Sequence, residues 1–241
     1  MNVLPVYINK EIEPADDVVE LIVNSVDILD GDILVIAQKI ISKQEGQTVD
    51  LSSITPSLLA EGISSQYQKD PRVVELILRE SKKIVRMRNG IIIVETNHGF
   101  VCANAGIDES NVPNGYATLL PKNPDASAKS IQKKVFDKTK KSVAVIIADT
   151  FGRPFRMGQT NSAIGISGIT PILDYTGTLD SFNNVLRVTA IAVADEICGA
   201  AELVMKKTTK CPVTIIRGYD FSNNSCSVDT LIRPEHNDLF R

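Results

Sequence analysis

Residues 145–161 read VIIADTFGRPFRMGQTN. Four apolar residues run straight into Asp149 and Thr150, and a polar segment with two arginines, two glycines and a proline follows. A short apolar run that stops at polar turn residues predicts a buried strand, here over 143–148, ending at a carboxylate and a hydroxyl. Working outward, 3–8, 33–37 and 212–216 read as further strands. A helix is expected to begin at Pro14-Ala15-Asp16-Asp17, because Val18, Leu21, Ile22 and Val26 recur at helical spacing. Asp70-Pro71 reads as an N-cap with proline in the first turn, leading into Val73, Val74, Ile77 and Leu78. Arg88-Asn89-Gly90 between the apolar runs 84–87 and 91–94 predicts a hairpin. Asp125 is expected to cap a helix through Val135, and 188–205 reads as one long Ala-rich helix. Strands and helices mix without strict alternation. That pattern predicts an α+β fold of mixed sheets with packed helices, a single domain over 1–241 built as one unit or as two closely packed lobes.

The chain has 241 residues, 43% hydrophobic and 23% charged, so it is long enough to bury a core without staples. Its net charge of −3 offers no global field for nucleic acid or an anionic membrane, so an anionic ligand must be held by local positive groups. Cys102, Cys198, Cys211 and Cys226 show no C-x-x-C pair, which argues against a zinc site and a disulfide framework. The N-terminus lacks the basic start and apolar core of a signal peptide, and no run approaches the ~20 residues of a membrane span. A cytoplasmic protein without membrane or nucleic-acid partners is expected.

The stretch from Gly152 to Thr160 first suggests a P-loop, but it has five residues between its glycines and Gln159 where lysine should stand. A phosphate cradle of that kind would not close. Asp108 and Asp149 each follow an apolar segment, and with Thr150 they make a hard-oxygen set suited to Mg²⁺ or Mn²⁺. The competing reading is that both aspartates cap turns. Arg153 and Arg156 offer planar forks for an oxyanion, or else a surface salt bridge. Lys39 and Lys43 either neutralise phosphate or solvate a helix start. Asp195, Glu196 and Glu202 read as a polar stripe rather than general bases, and His98 as structural.

Five segments then fall in order: LPVYINKEI, AQKIISKQEG, GIDESNV, DTFGRPFRMGQTNSAIGISGI and VTAIAVADEICGAAELVM. Together they resemble the GTP-dependent coenzyme F-420-0:L-glutamate ligases, over essentially the whole chain. The 149–169 segment is the most specific. The resemblance implies an enzyme that joins L-glutamate to the phospholactyl tail of the deazaflavin coenzyme F-420-0, first as an amide and then through a γ-glutamyl bond. GTP would be the cosubstrate, bound at a site that is not a P-loop, and the carboxylate would be activated as an acyl phosphate. It implies two divalent cations, Mg²⁺ or Mn²⁺, held by Asp108, Asp149 and Thr150, with K⁺ as an accessory ion. Asn9, Lys10, Glu11, Ile12, Gln38, Lys43 and Asn111 would line the nucleotide site, with Lys206 and Lys207 in a further nucleotide-contacting segment. Arg153 and Arg156 are assigned, from their chemistry, to anions of the acceptor or of glutamate.

Two stretches depart from the family pattern. Lys206 follows Met205 where relatives usually carry glycine, and DSFNN at 180–184 lacks the glycine usual near its fourth place. The resemblance also implies a homodimer, and Ala190, Ala194, Gly199, Ala200 and Ala201 offer a small-residue face for it, or for packing inside one subunit. Two other classes remain compatible with the residues: a different metal-dependent phosphoryl-transfer enzyme, and a non-catalytic nucleotide-binding module.

Overall fold

The computed structural model describes residues 1–223 and 227–239, so Cys226 lies outside the described residues. Strand β1 (Asn2–Val6) opens the chain. Helix α1 (Val18–Ser25) starts where the Asp17 carboxylate accepts the N–H groups of Val19 and Glu20, and it buries Val18, Val19 and Ile22. Strand β2 (Ile33–Ala37) coincides with the predicted apolar run and leads directly into α2 (Gln38–Gln44). The short β3 (Thr48–Asp50) and the Ser57-capped α3 (Leu58–Tyr67) come next. Helix α4 (Pro71–Arg79) begins as predicted, with Asp70 accepting the Arg72 N–H. Strands β4 (Ser81–Arg88) and β5 (Ile91–Thr96) form the expected hairpin. Asn89 and Gly90 take φ of 51° and 76°, the left-handed pair that a tight hairpin of right-twisted strands requires. Strand β6 (Val101–Ala103) extends that sheet, and β7 (Tyr116–Thr118) pairs with β3.

Helix α5 (Pro124–Thr139) corrects one expectation. Its cap is Asn123, which accepts the Ala126 N–H, and Asp125 sits inside the first turn. The Asp125 carboxylate instead accepts the backbone N–H groups of Ile166 and Val228. Strands β8 (Ala144–Arg153) and β9 (Arg156–Ser167) follow as a long hairpin, then the two-residue strands β10 (Leu173–Asp174) and β11 (Ala190–Ile191). Helix α6 (Val193–Met205) corrects a second expectation, because it starts at Val193 rather than at 188. Ala190 and Ile191 pair with β10, so strand pairing wins over the helical composition of that stretch. Strand β12 (Val213–Arg217) completes the set.

The main sheet has the order β1-β12-β2-β8-β9, with β2 and β8 parallel and the other neighbours antiparallel. It is the mixed sheet of an α+β fold. Helix α5 packs on β8 and β9, while α6 contacts β1, β2, β8, β9 and β12. Ile146, Ile147, Ile215 and Ile216 are fully buried in this core, each stabilising by about 1.5–3 kcal/mol. A second apolar cluster joins α3, α4 and the β4-β5-β6 sheet through Val74, Ile77, Ile92 and Val94. Strand β9 forms one edge of the main sheet, and carboxylates cover part of it. Asp195 on α6 accepts the Ala163 N–H at 2.8 Å, and Asp125 on α5 accepts that of Ile166 at 2.7 Å. Gly165 lies between these two contacts, where an added Cβ would come within 2.5 Å of the Pro124 carbonyl. Helix α5 can approach the edge this closely only over glycine.

Candidate functional site

Strand β2 ends at Ala37 opposite Ala148, but β8 runs on for residues 149–153 with only β9 beside it. The sequence reading put a strand end at Asp149; the end belongs to its neighbour. Around this step several chain segments converge. The Ile8 N–H donates to Lys210 O, and the Ala37 N–H to Pro212 O. These bonds set the 8–12 segment, the start of α2 and the 206–212 segment at the same end of the sheet, outside the carboxyl ends of its two parallel strands. Open sheets with parallel strands characteristically bind ligands there.

Lys39 and Lys43 lie four residues apart on α2 and so share a face. Both reach the 108–111 loop. Lys39 Nζ donates to Asp108 Oδ2 at 2.6 Å, to Ser110 O at 2.7 Å and to Ser110 Oγ at 2.8 Å. Lys43 Nζ donates to Asn111 O at 2.6 Å and pairs with Glu11. Burial works to raise the Asp108 carboxyl, but the Lys39 ammonium and the Ser110 N–H and hydroxyl outweigh it and hold it below the ordinary range. Asp149 goes the other way. Burial, together with the negative charge of Asp108, pushes its carboxyl up to about 6, against the pull of the Thr150 N–H, Lys207 and Lys39. It makes no salt bridge among the described residues. On the β6 side, burial and the Asp149 charge push the Cys102 thiol up to about 12. Asp149 is thus largely withdrawn from solvent while Asp108 is 45% exposed, and because each charge disfavours the other, a cation brought to them would relieve both.

Thr150 joins a closed ring of polar groups. Its hydroxyl donates to Asn161 Oδ1 at 2.7 Å and accepts from Lys207 Nζ at 2.6 Å. Asn161 Nδ2 donates to Glu202 Oε2 at 3.0 Å, and Lys207 closes the ring on Glu202 Oε1 at 3.2 Å. Among the described residues no third His, Cys, Asp or Glu gathers with the two aspartates. One or two carboxylates, with substrate phosphates and waters supplying the rest of roughly six oxygens, is how Mg²⁺-type ions are commonly held beside nucleotides. The donor set fits such an ion.

Other predicted residues fall at varied distances from this centre. Gln38 is buried, its amide donating to Ser42 Oγ and Leu119 O, so it braces the start of α2. Ile12 is in the core, Asn9 and Lys10 are exposed, and Lys10 pairs with Asp16. Arg153 and Arg156 pair across the tip of the β8-β9 hairpin, whose turn is Pro154-Phe155. Four strand residues put the Arg153 backbone roughly 13 Å along the strand from Asp149. Arg153 donates to Met157 O at 3.0 Å. Of the small-residue face on α6, Ala194 and Ala201 are fully buried within this chain. Asp195 covers the β9 edge, and His98 stacks on Phe100 with its Nε2 against Pro121 O. Asn161 and Glu202 were not singled out as site residues by the sequence. They lie 41 residues apart, and no spacing rule links them.

A family model described as F420-0:Gamma-glutamyl ligase matches residues 8–218. The chain belongs to this ligase family. It is 47% identical to the coenzyme F420:L-glutamate ligase of Methanothermobacter thermautotrophicus, covering 94% of this chain and 93% of the relative. The enzyme of the same name from Methanocaldococcus jannaschii is 47% identical over 88% of this chain and 85% of its own length. That from Methanopyrus kandleri is 40% identical over 100% and 98%.

Within the F420-0:gamma-glutamyl ligase family the two departures noted above have a common backbone explanation. Asn183 holds φ 63°, and Lys206 holds φ 51° with ψ −172°. Both keep the backbone that glycine would adopt freely. Asparagine tolerates the left-handed region, but the Lys206 combination is nearly confined to glycine and costs about 1–3 kcal/mol. Part of that strain is offset because glycine would loosen the unfolded chain by about 0.4–1 kcal/mol. Lys206→Gly should therefore stabilise the protein by about 1 kcal/mol, read as a higher urea midpoint at unchanged slope.

Proposed function

We propose that this chain adds L-glutamate in succession to the phospholactyl tail of coenzyme F420-0, with GTP as energy source. The observation that carries the reading is the convergence of Asp108 and Asp149 beneath Lys39, Lys43 and Lys207, at one end of the sheet. Such a cluster suits a nucleotide triphosphate and its counter-ions. The relatives named above are glutamate ligases of this coenzyme.

In this reading the lactyl carboxylate attacks the γ-phosphorus, GDP leaves, and an acyl phosphate forms. The glutamate amine then attacks the acyl carbon, inorganic phosphate leaves, and the nitrogen loses a proton. A second round extends the product through a γ-glutamyl bond. Mg²⁺ or Mn²⁺ held by Asp108, Asp149 and Thr150, with K⁺ nearby, would neutralise charge on the phosphates in flight. Lys43, braced by Glu11 and the Asn111 carbonyl, stands ready for phosphate oxygens, as does Lys39 once it shares Asp108. Asn9, Lys10 and Ile12 frame the nucleotide from the 8–12 segment, and Gln38 holds α2 in place. Arg153 and Arg156, well out along the hairpin, take an anion of the acceptor rather than GTP.

The homodimer belongs to the same proposal. Phe155 and Met157 are 90% and 95% exposed at the hairpin tip, and Phe182 and Val188 are 84% and 90% exposed in the segment between β10 and β11. Apolar side chains this open suit a second subunit. In this reading the reaction runs in the cytoplasm.

The test is mass spectrometry of the deazaflavin after incubation with GTP, Mn²⁺ and L-glutamate. Products carrying one and then more glutamyl residues are expected, with GDP formed in step. GDP release that ignores glutamate and deazaflavin would instead mark a different phosphoryl-transfer enzyme. Nucleotide binding without turnover would mark a binding module.

A further inference from the structure

The ring around Thr150 contains a positive charge where the proposed chemistry asks for a metal. A hydroxyl has one hydrogen and two acceptor positions. The Thr150 hydrogen is used on Asn161 Oδ1, and one acceptor position receives the Lys207 ammonium at 2.6 Å. Glu202, the nearest carboxylate on this side, is also engaged by Lys207 at 3.2 Å. The ammonium is thus held between a hydroxyl and a carboxylate, the pair of oxygen donors a second divalent ion would need. An ion bound to Thr150 Oγ1 at about 2.1 Å would lie within about 5 Å of Nζ, with both positive charges sharing the same two oxygens. The two cations compete for one position.

The Lys207 side chain is 61% exposed, so its position rests on these two contacts and on the backbone that carries it. Lys207 lies one residue beyond Lys206, whose backbone is fixed at φ 51°, and two beyond the end of α6. On the other side Lys39 bonds one oxygen of Asp108 at 2.6 Å, but Asp149 makes no salt bridge among the described residues, so a carboxylate there stays open to a metal.

We propose that the Lys207 ammonium serves as a built-in cation at the Thr150 position, so that Thr150 leaves the metal-ligand set given above and this enzyme works with one divalent ion, at Asp108 and Asp149, in place of two. The inference rests on the metal-dependent reading above. Its consequence is a change of specificity: the Thr150 position needs no free metal, and a neutral side chain at 207 should open it.

Two Mn²⁺ ions at a shared phosphoryl-transfer site lie about 3.5–4 Å apart and couple magnetically. Electron paramagnetic resonance of the full chain with Mn²⁺ and a non-hydrolysable GTP analogue, together with equilibrium dialysis, counts them. The wild type should hold one uncoupled Mn²⁺ per chain. Lys207→Gln should hold two with a coupled spectrum, and Lys207→Arg, which keeps the charge, should stay at one. Two ions in the wild type would overturn the role of Lys207 while leaving the metal reading standing. One ion in both wild type and Lys207→Gln would overturn it equally. No bound Mn²⁺ in any of the three would overturn this inference and the metal reading together.

Discussion

Asp149→Asn should abolish glutamate addition and at the same time make the metal-free protein more stable. The substitution keeps the shape of the side chain and removes its charge. If a hard cation is bound as proposed, it loses the one carboxylate of the two that makes no salt bridge among the described residues, and turnover should fall by at least ~10²-fold, the scale of one lost electrostatic contact to a transition state. The gain in stability follows from the environment. The folded carboxyl keeps its proton up to about pH 6, because of burial first and of Asp108 second, whereas an ordinary aspartate releases it near 3.8. Folding is therefore favoured by this group below about pH 3.8, and the advantage is lost as the pH rises through 6. At pH 7 the charged form costs about 1–3 kcal/mol, which asparagine avoids. Thermal melts in chelator at pH 7 should show the variant above the wild type, with the gap closing toward pH 4. A variant that retains near-full GDP release at saturating Mn²⁺ would remove Asp149 from the metal site.

Arg217→Met should be the most damaging change outside the site. The Asp32 side chain is 1% exposed and pairs with Arg217, whose Nε and Nη2 each donate to it at 2.8 Å. Leu29 N–H completes the set at 2.8 Å, and the same Nη2 ties down Asp27 O. Removing the guanidinium leaves a carboxylate in the core with one backbone donor, which costs about 3–5 kcal/mol. Urea unfolding should show that loss, and the double variant Asp32→Asn with Arg217→Met should recover part of it, because no charge is then stranded. A loss under about 1 kcal/mol would mean that water reaches Asp32. The pair joins the start of β2 to the end of β12, opposite the site. Activity per folded molecule should survive.

The sequence was most readable where local chemistry and tertiary context agree. The run 33–37 is apolar throughout because β2 is buried on both sides, and Asn89-Gly90 states its turn in two residues. Asp70 capped as expected because both its partners, the N–H and the guanidinium of Arg72, lie in the helix it starts. Asp125 did not, because a strand edge 41 residues away outcompeted the helix end for it. The overrun of β8 was hidden because 149–153 is no continuous apolar run, and its strand pairing there is with β9 alone. The helix at 188–205 was over-extended because β10 captures Ala190 and Ile191 through backbone bonds that composition does not record. At the site, Asp108, Asp149 and Thr150 were visible as residue types but acquired roles only through the family resemblance. The Thr150-Asn161-Glu202-Lys207 ring could not be read, since it depends on a hairpin and a helix end meeting in space.

The carboxylates of Asp125 and Asp195 along β9 restrict how copies of this chain can meet. A bare outer strand invites another chain to add itself in register, and such growth has no natural stopping point. Here the 163–166 stretch already has its amides engaged from both flanking helices. A visiting strand would have to displace two anions before forming its first rung. Filament growth through this border is therefore disfavoured. A pairing of copies, if it forms as proposed, would have to use side chains elsewhere, a kind of contact that can close on itself and stop.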